Sequence, residues 1–424
     1  MYLQRIAHRI VFASLLVGCL FIASAYSWYA IRGYRASRLS RDSHEDSLRR
    51  AIALEPRNAS AYNGLCRYRM NVDLDPASAV TYCEQATELN RYNSSYWLDL
   101  ASAFYGTGQK KEEFHAIESA VAVDPTTPEV AWNAANLYLV AGELEPALNQ
   151  FAVVLKNDPD LAPQALKLCW QSVGKTPEPI VRILPPDPVV YLQFLRLLTS
   201  ENESEAARRV WSMMYELNRP FDYHDALFYV DTLLASRDVA FAEQVWRQLA
   251  ARSATFSSYQ RSDQNLVVNG SFEGEILNTG FDWRIVPLPG TAVSLDSEAT
   301  HEGSRSFMIS FSQPVIDAGL FQLVPVATDT EYTASAWMKS KELQTANGPR
   351  LTASDAYTNA PLGMSEETSG TTGWHNVNVT FRTGSETKLV ALRFARERGD
   401  TVVRGRIWIA NVHLTTGANR TVAR

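Results

Sequence analysis

From Ile10 to Ile31 the chain reads IVFASLLVGCLFIASAYSWYAI, twenty-two residues without a charged side chain. As a helix rising about 1.5 Å per residue, this stretch crosses the ~30 Å hydrocarbon core of a bilayer. The pattern predicts a transmembrane helix over 10–31, preceded by a cytoplasmic stub over 1–9 and followed by the interfacial aromatics Trp28, Tyr29 and Tyr34. A helical pattern then repeats. AIALEP ends at Pro56, ATELNR at Arg91, AVAVDP at Pro125 and VVLKNDP at Pro159, in steps of 35, 34 and 34 residues. Each unit carries an aromatic (Tyr62, Trp97, Trp132), then a small residue (Cys66, Ala101, Ala135), a short turn such as Gly106-Thr107-Gly108, and a second helical stretch. Small residues let paired helices approach, and proline stops the second helix. Beyond Pro163 the period fades, yet Trp211 and Trp246 are 35 apart, as are Leu198 and Leu233, which extends degenerate repeats over 163–255.

After Gln264 the period changes from helical to alternating. Phe307, Ile309 and Phe311 alternate with Met308, Ser310 and Ser312, and Val377, Val379 and Phe381 with Asn376, Asn378, Thr380 and Arg382. Runs of this kind recur to Leu414, which predicts eight to ten strands in an antiparallel sandwich or jelly roll over 264–416 with a tail over 417–424. A domain boundary is expected near 253–264. The fold class is therefore multidomain: a transmembrane helix, an all-α superhelix over 40–162 continued by the degenerate repeats, and an all-β jelly roll.

The N-terminal stretch leaves two further readings open: a cleaved signal peptide, and a lipoprotein signal at Leu16-Val17-Gly18-Cys19. Against the second, Leu20, Phe21, Ile22 and Ala23 prolong the apolar run past Cys19, as an uncleaved anchor would. Arg32, Arg35, Arg38 and Arg41 after the span outnumber Arg5 and Arg9 before it, a balance that by itself leaves the body in the cytoplasm.

Composition narrows the function more than the fold. Of 424 residues 46% are hydrophobic and 20% charged, and the net charge is -6, which gives no global reason to bind nucleic acid. Four cysteines (Cys19, Cys66, Cys83, Cys169) and no C-x-x-C pair exclude a disulfide scaffold or zinc ribbon. Gly174-Lys175-Thr176 lacks the first glycine of a P-loop, and neither His44-Glu45 nor His301-Glu302 has the second histidine of H-E-x-x-H. No catalytic constellation emerges, and no cofactor is expected.

Residues 94–127 and 128–161 resemble the tetratricopeptide repeat, with Tyr138, Ala147, Phe151 and Pro159 at its aromatic, small, aromatic and helix-ending positions. In that family the first helix of each repeat lines a concave groove for partner proteins. The resemblance thus implies a groove of Asn63, Arg67, Ser102, Tyr105, Trp132 and Asn136, the alternative being that the array is a spacer. It also places Cys66 and Cys83 on facing helices of one repeat, either paired or as buried thiols. NLVVNGSFEGEILNTGFDWRI, EYTASAWMKS, GTTGWHNVNVTFRT and GRIWIANVHL together resemble a carbohydrate-binding module of the galactose-binding-like jelly-roll type, families four and nine, over 265–416. The resemblance implies a sugar cleft of aromatic and polar side chains. Members often hold a calcium with the Glu of the opening motif and an Asp near the last strand. Glu273 is present, but Ile409-Ala410-Asn411-Val412 has no acid, so no metal is expected.

Strand parity selects Trp337: Tyr332, Ala334, Ala336 and Met338 form the apolar face, which leaves the indole among Thr333, Ser335 and Lys339, covered by a loop or exposed for stacking. Similar grounds select Trp283 and Arg284 after Asn278-Thr279-Gly280, Gln322 between apolar strand residues, and Arg350, Asp355 and Tyr357 on one run, whereas Trp374 and Trp408 are expected in the core or at an edge. The reading is a non-enzymatic protein of the bacterial inner membrane with a periplasmic body. Its partners are a glycan and envelope proteins, and its role is in exopolysaccharide or envelope polysaccharide assembly or export. The alternatives are an envelope scaffold that binds only proteins, and a glycan hydrolase.

Overall fold

The computed structural model describes residues 2–397 and 402–417, the side chains of 2–11 and 317 excepted. The side chains of Arg5, His8 and Arg9, and the expected tail beyond Gly417, lie outside the described residues. The chain divides into two compact units, Met1–Leu217 and Asn218–Arg424.

The first unit is helical. α1 (Tyr2–Leu39) contains the apolar stretch and continues past it. Phe12, Leu15, Val17, Leu20, Phe21 and Ile22 on it are all exposed, a surface that a water-soluble fold would bury. Antiparallel pairs follow: α2 (Glu45–Leu54) beside the end of α1, then α3 (Ala59–Asn71) with α4 (Pro76–Leu89), α5 (Ser94–Thr107) with α6 (Lys110–Val123), and α7 (Pro128–Ala141) with α8 (Leu144–Asn157). Local signals fix their ends. Asn58, Asp75 and Asn93 accept backbone N–H groups of the first turns at 3.0, 3.1 and 3.0 Å, and Gly108 (φ 73°) and Gly142 (φ 86°) take the left-handed C-cap. Ala79, Ala101, Ala116, Ala120, Ala134 and Ala147 fill the helix contacts, all at most 1% exposed. Cys66 on α3 and Cys83 on α4 form a disulfide with Cα atoms 5.2 Å apart. The less regular α9 (Ala162–Ser172), α10 (Glu178–Ile183), α11 (Pro188–Ser200) and α12 (Ser204–Glu216) complete this unit.

The second unit joins a helical hairpin, α13 (Leu227–Ala235) and α14 (Val239–Arg252), to a β-sandwich of ten strands. One sheet orders β1 (Arg284–Ile285), β4 (Asp317–Pro325), β9 (Leu389–Ala395), β6 (Arg350–Asp355) and β7 (Pro361–Met364). The other orders β2 (Thr291–Asp296), β3 (Ser306–Phe311), β10 (Val403–Thr416), β5 (Glu331–Thr345) and β8 (Gly370–Arg382), and every pairing is antiparallel. The alternation read from sequence is the core: Phe307, Ile309 and Phe311, Ala334, Ala336 and Met338, and Val377, Val379 and Phe381 meet Leu320, Leu351, Val390, Leu392 and Phe394 of the facing sheet.

The compact units divide at 217/218, and the last helical hairpin packs with the sandwich. Trp246 of α14 packs edge-on to Phe281 at 5.5 Å, and its indole meets the backbone of Gly280 (φ 57°) so closely that a Cβ there would lie 2.2 Å from the ring. Asp231 of α13 accepts hydrogen bonds from Thr279 Oγ1 (2.6 Å), Gly280 N (2.8 Å) and the Arg284 guanidinium.

Candidate functional site

The residues singled out on the sandwich separate into three places. Trp283 and Gln322 are in the interior. Trp283 is 0% exposed, stacks near Phe272 (5.1 Å) and donates Nε1 to the Asn269 carbonyl at 3.0 Å. Gln322, also 0% exposed, donates to the Val268 carbonyl (2.7 Å) and accepts from Val268 N–H (3.0 Å), clamping the opening segment to β4. Neither meets solvent, so the expectation that they touch sugar is corrected: one fills the core and the other satisfies backbone polar groups that burial would leave orphaned.

Arg284, Asp355 and Tyr357 serve local joints. Arg284 is tied to Asp231 and to the Gly280 carbonyl (3.0 Å). The Tyr357 hydroxyl donates to the Leu234 carbonyl at 2.8 Å under the Arg237 guanidinium, 5.1 Å over its ring, and burial pushes that hydroxyl's pKa up. Asp355 Oδ1 accepts from Tyr357 N, Thr358 N and Thr358 Oγ1 at 2.9, 2.8 and 3.0 Å; burial alone would raise its pKa, and these hydrogen bonds outweigh it and lower it. In all three, polar groups expected to meet a ligand are engaged by the hairpin and the β6–β7 turn. Arg350 stays half-buried on the outer face of the first sheet, paired with Glu367 (3.2 Å) and Glu397 (3.6 Å).

Trp337 stands apart, on the outer face of the second sheet. Its β8 and β10 neighbours in register are Asn376 and Ala410. Along the edge strand β8 the same face carries half-buried Trp374 and exposed Asn376, Asn378 and Thr380, and Thr380 meets Thr333 of β5 at 3.1 Å. Here two indoles lie among amide and hydroxyl groups, the combination that stacks on an apolar C–H face while bonding its hydroxyls. The sequence reading missed His301. Its ring lies 4.0 Å from Trp337 at 23° and 5.5 Å from Trp374, so one indole face is already covered. The loop bearing His301 is held by Asn411, whose amide donates to the Glu302 carbonyl (3.2 Å) with Oδ1 3.3 Å from His301 Nδ1, and by Glu273, which accepts from Ser304 N (2.6 Å) and Ser304 Oγ. These bonds hold the Glu273 carboxyl below its usual range. Trp408, 6% exposed, donates to Asp296 at 2.8 Å.

The calcium set of the resembled family does not fit these residues. Both Glu273 oxygens are engaged by Ser304, Asn411 is neutral, and among the described residues no group of three His, Cys, Asp or Glu is placed to hold a metal.

In the helical unit, Asn63 and Arg67 line a cavity of about 540 Å³, and Arg67, Ser102 and Asn136 line a second of about 340 Å³ with Asp99, Glu129 and Asn133. Asp99 joins them, accepting from Asn63 (2.7 Å) and Arg67 (2.6 Å), while Asn63 Oδ1 is buried without a partner. Trp132, half-buried, packs edge-on to Phe151 at 5.7 Å within its own repeat, and Tyr105 is exposed outside both cavities.

Comparison with known proteins agrees with the β-rich part. Residues 264–400 match the model of a family described as a carbohydrate binding domain. Among solved structures, a CBM4 module is 15% identical over 35% of this chain and 99% of its own, at TM-score 0.28. MamA is 15% identical over 41% and 94%, at 0.31, and PilF of Pseudomonas aeruginosa 18% identical over 46% and 93%, at 0.26. No curated protein matches the chain. The chain thus carries a β-sandwich that matches the model of a carbohydrate binding domain, preceded by an array of helix pairs and an apolar N-terminal helix.

Proposed function

We propose that this is a non-catalytic, membrane-anchored scaffold of the bacterial inner membrane whose periplasmic body binds a glycan during exopolysaccharide or envelope polysaccharide assembly or export. The observation that carries the reading is the outer face of the second sheet, where Trp337 and Trp374 lie beside Asn376, Asn378 and Thr380. Trp337 stacks on a sugar ring, and His301 either sandwiches that ring from the other side or yields its place to it. In the helical unit the Asn63–Arg67–Asp99 cluster offers donors and acceptors to a protein segment. A disulfide joining Cys66 and Cys83 favours an oxidising compartment, against the arginine balance around the span.

The test is a glycan array with detergent-solubilised full-length protein. Binding that Trp337→Ala abolishes, with an unchanged circular dichroism spectrum, supports the reading. Binding indifferent to Trp337→Ala moves the site elsewhere, and no glycan bound at all favours the protein-only scaffold. Shortening of a bound polysaccharide would instead make the protein a hydrolase.

A further inference from the structure

The continuity of α1 sets the height of the repeats above the membrane that the proposed anchor crosses. Helix α1 runs unbroken to Leu39, so eight residues project about 12 Å beyond Ile31. There Ala36 is fully buried as α1 and α2 pack. Arg32, the first residue past the apolar run, donates Nε to the carbonyl of Leu54, the last residue of α2. Antiparallel α2 therefore climbs back to the level at which the apolar stretch ends, and the turn after it, residues 55–58, sits at that level. The next turn on the same edge, residues 90–93, lies at a similar level: Asn63, one turn into α3, donates to Asp99, one turn into α5, at 2.7 Å, which sets the starts of the two helices side by side.

The residues on this edge suit such a place. Arg57 and Arg91 are exposed, with no ion pair among the described residues, and Tyr92 is 81% exposed. The turn is held firm, since Trp97 Nε1 donates to the Arg91 carbonyl at 2.9 Å and Tyr92 N to Asn90 Oδ1 at 3.2 Å. Glu55 balances Arg57 in the first turn and Arg91 leaves these two turns with one net positive charge, whereas the following turns of the same edge carry only acids, Asp124, then Asp158 and Asp160. Basic and aromatic side chains belong at an anionic lipid surface, and carboxylates are repelled by it.

We propose that the turns 55–58 and 90–93 rest on the headgroups of the membrane that α1 crosses, with Arg57 and Arg91 on lipid phosphates and the Tyr92 ring in the interface, while the array rises away from Asp124 onward. This fixes the tilt of the scaffold over the bilayer and rests on α1 being a membrane span.

The experiment uses full-length protein in phosphatidylcholine–phosphatidylglycerol nanodiscs with two photo-crosslinking lipids, one reactive in the acyl chain and one in the headgroup, and maps labelled peptides by mass spectrometry. The expected result is acyl-chain label on 10–31, and headgroup label on 55–58 and 90–93 but not on the opposite edge at 72–75 and 106–109. Arg57→Glu with Arg91→Glu lowers headgroup label at 90–93, and each arginine near an anionic surface accounts for about fivefold. Acyl-chain label on the span with clean turns, or equal label on both edges, overturns the proposal and leaves the anchor standing. A span without label overturns both.

Discussion

Asp282 is a buried acid with half of its hydrogen bonding missing, and its replacement should reverse a pH dependence. The carboxyl is 0% exposed; Oδ2 accepts from Leu277 N at 2.7 Å, and Oδ1 has no partner. Burial pushes its pKa up to about 7 from an ordinary 3.8, against the pull of the Leu277 N–H. The folded state therefore keeps a proton that the unfolded chain sheds. Stability is full below about pH 4, falls by roughly 1.4 kcal/mol per unit as pH rises, and is lower by about 4 kcal/mol once pH passes 7. Asp282→Asn keeps an acceptor for Leu277 and cannot ionise. Its amide N–H groups lack partners, at a cost of about 1–3 kcal/mol, so the net gain at pH 8 is about 1–3 kcal/mol and the variant is no more stable than wild type at pH 4.5. Urea denaturation of residues 218–424, followed by tryptophan fluorescence from pH 4.5 to 8.5, reads this as an advantage of the variant that grows with pH. A difference independent of pH, or a variant weaker at pH 8, refutes the reasoning.

Three further outcomes follow from contacts already described. Gln322→Ala orphans both polar groups of Val268 and should cost about 2–4 kcal/mol in the same urea assay, since each buried unmet group costs about 1–3 kcal/mol. Asp231→Ala leaves Thr279, Gly280 and the Arg284 guanidinium without their acceptor. With Asp231 about one third exposed and Arg284 less so, the cost should be about 1–3 kcal/mol, seen as faster hydrogen exchange in α13 with the strands unchanged. Reducing Cys66–Cys83 reopens a loop of 17 residues' separation and should lower repeat stability by about 3 kcal/mol, measured as a urea midpoint with and without reductant.

How far the sequence determines such a site depends on how much of it is periodic. The alternation along β5 and β8 told inside from outside because thirteen to fifteen residues of strand repeat one choice, and it put Trp337 on the outer face. The same rule on β4 turns Gln322 inward with Leu320 and Val324: its place between apolar strand residues fits a sugar contact as well, but its neighbours at i±2 mark it as a buried clamp. Trp283 precedes a strand of only two residues, where alternation has nothing to repeat, and its burial follows from Phe272 and Phe394 arriving from distant segments. Arg284 and Tyr357 have local patterns that fit a sugar site as well as the joint to α13, and only the acceptors Asp231 and Leu234, 53 and 123 residues away, decide between them. His301 is the complementary case: a loop histidine with no spacing partner becomes part of the aromatic face because Glu273 and Asn411 pin its loop there. Helix caps, repeat period and strand parity are short-range and therefore legible, whereas a binding face is assembled by contacts between distant loops, which one-dimensional patterns do not encode.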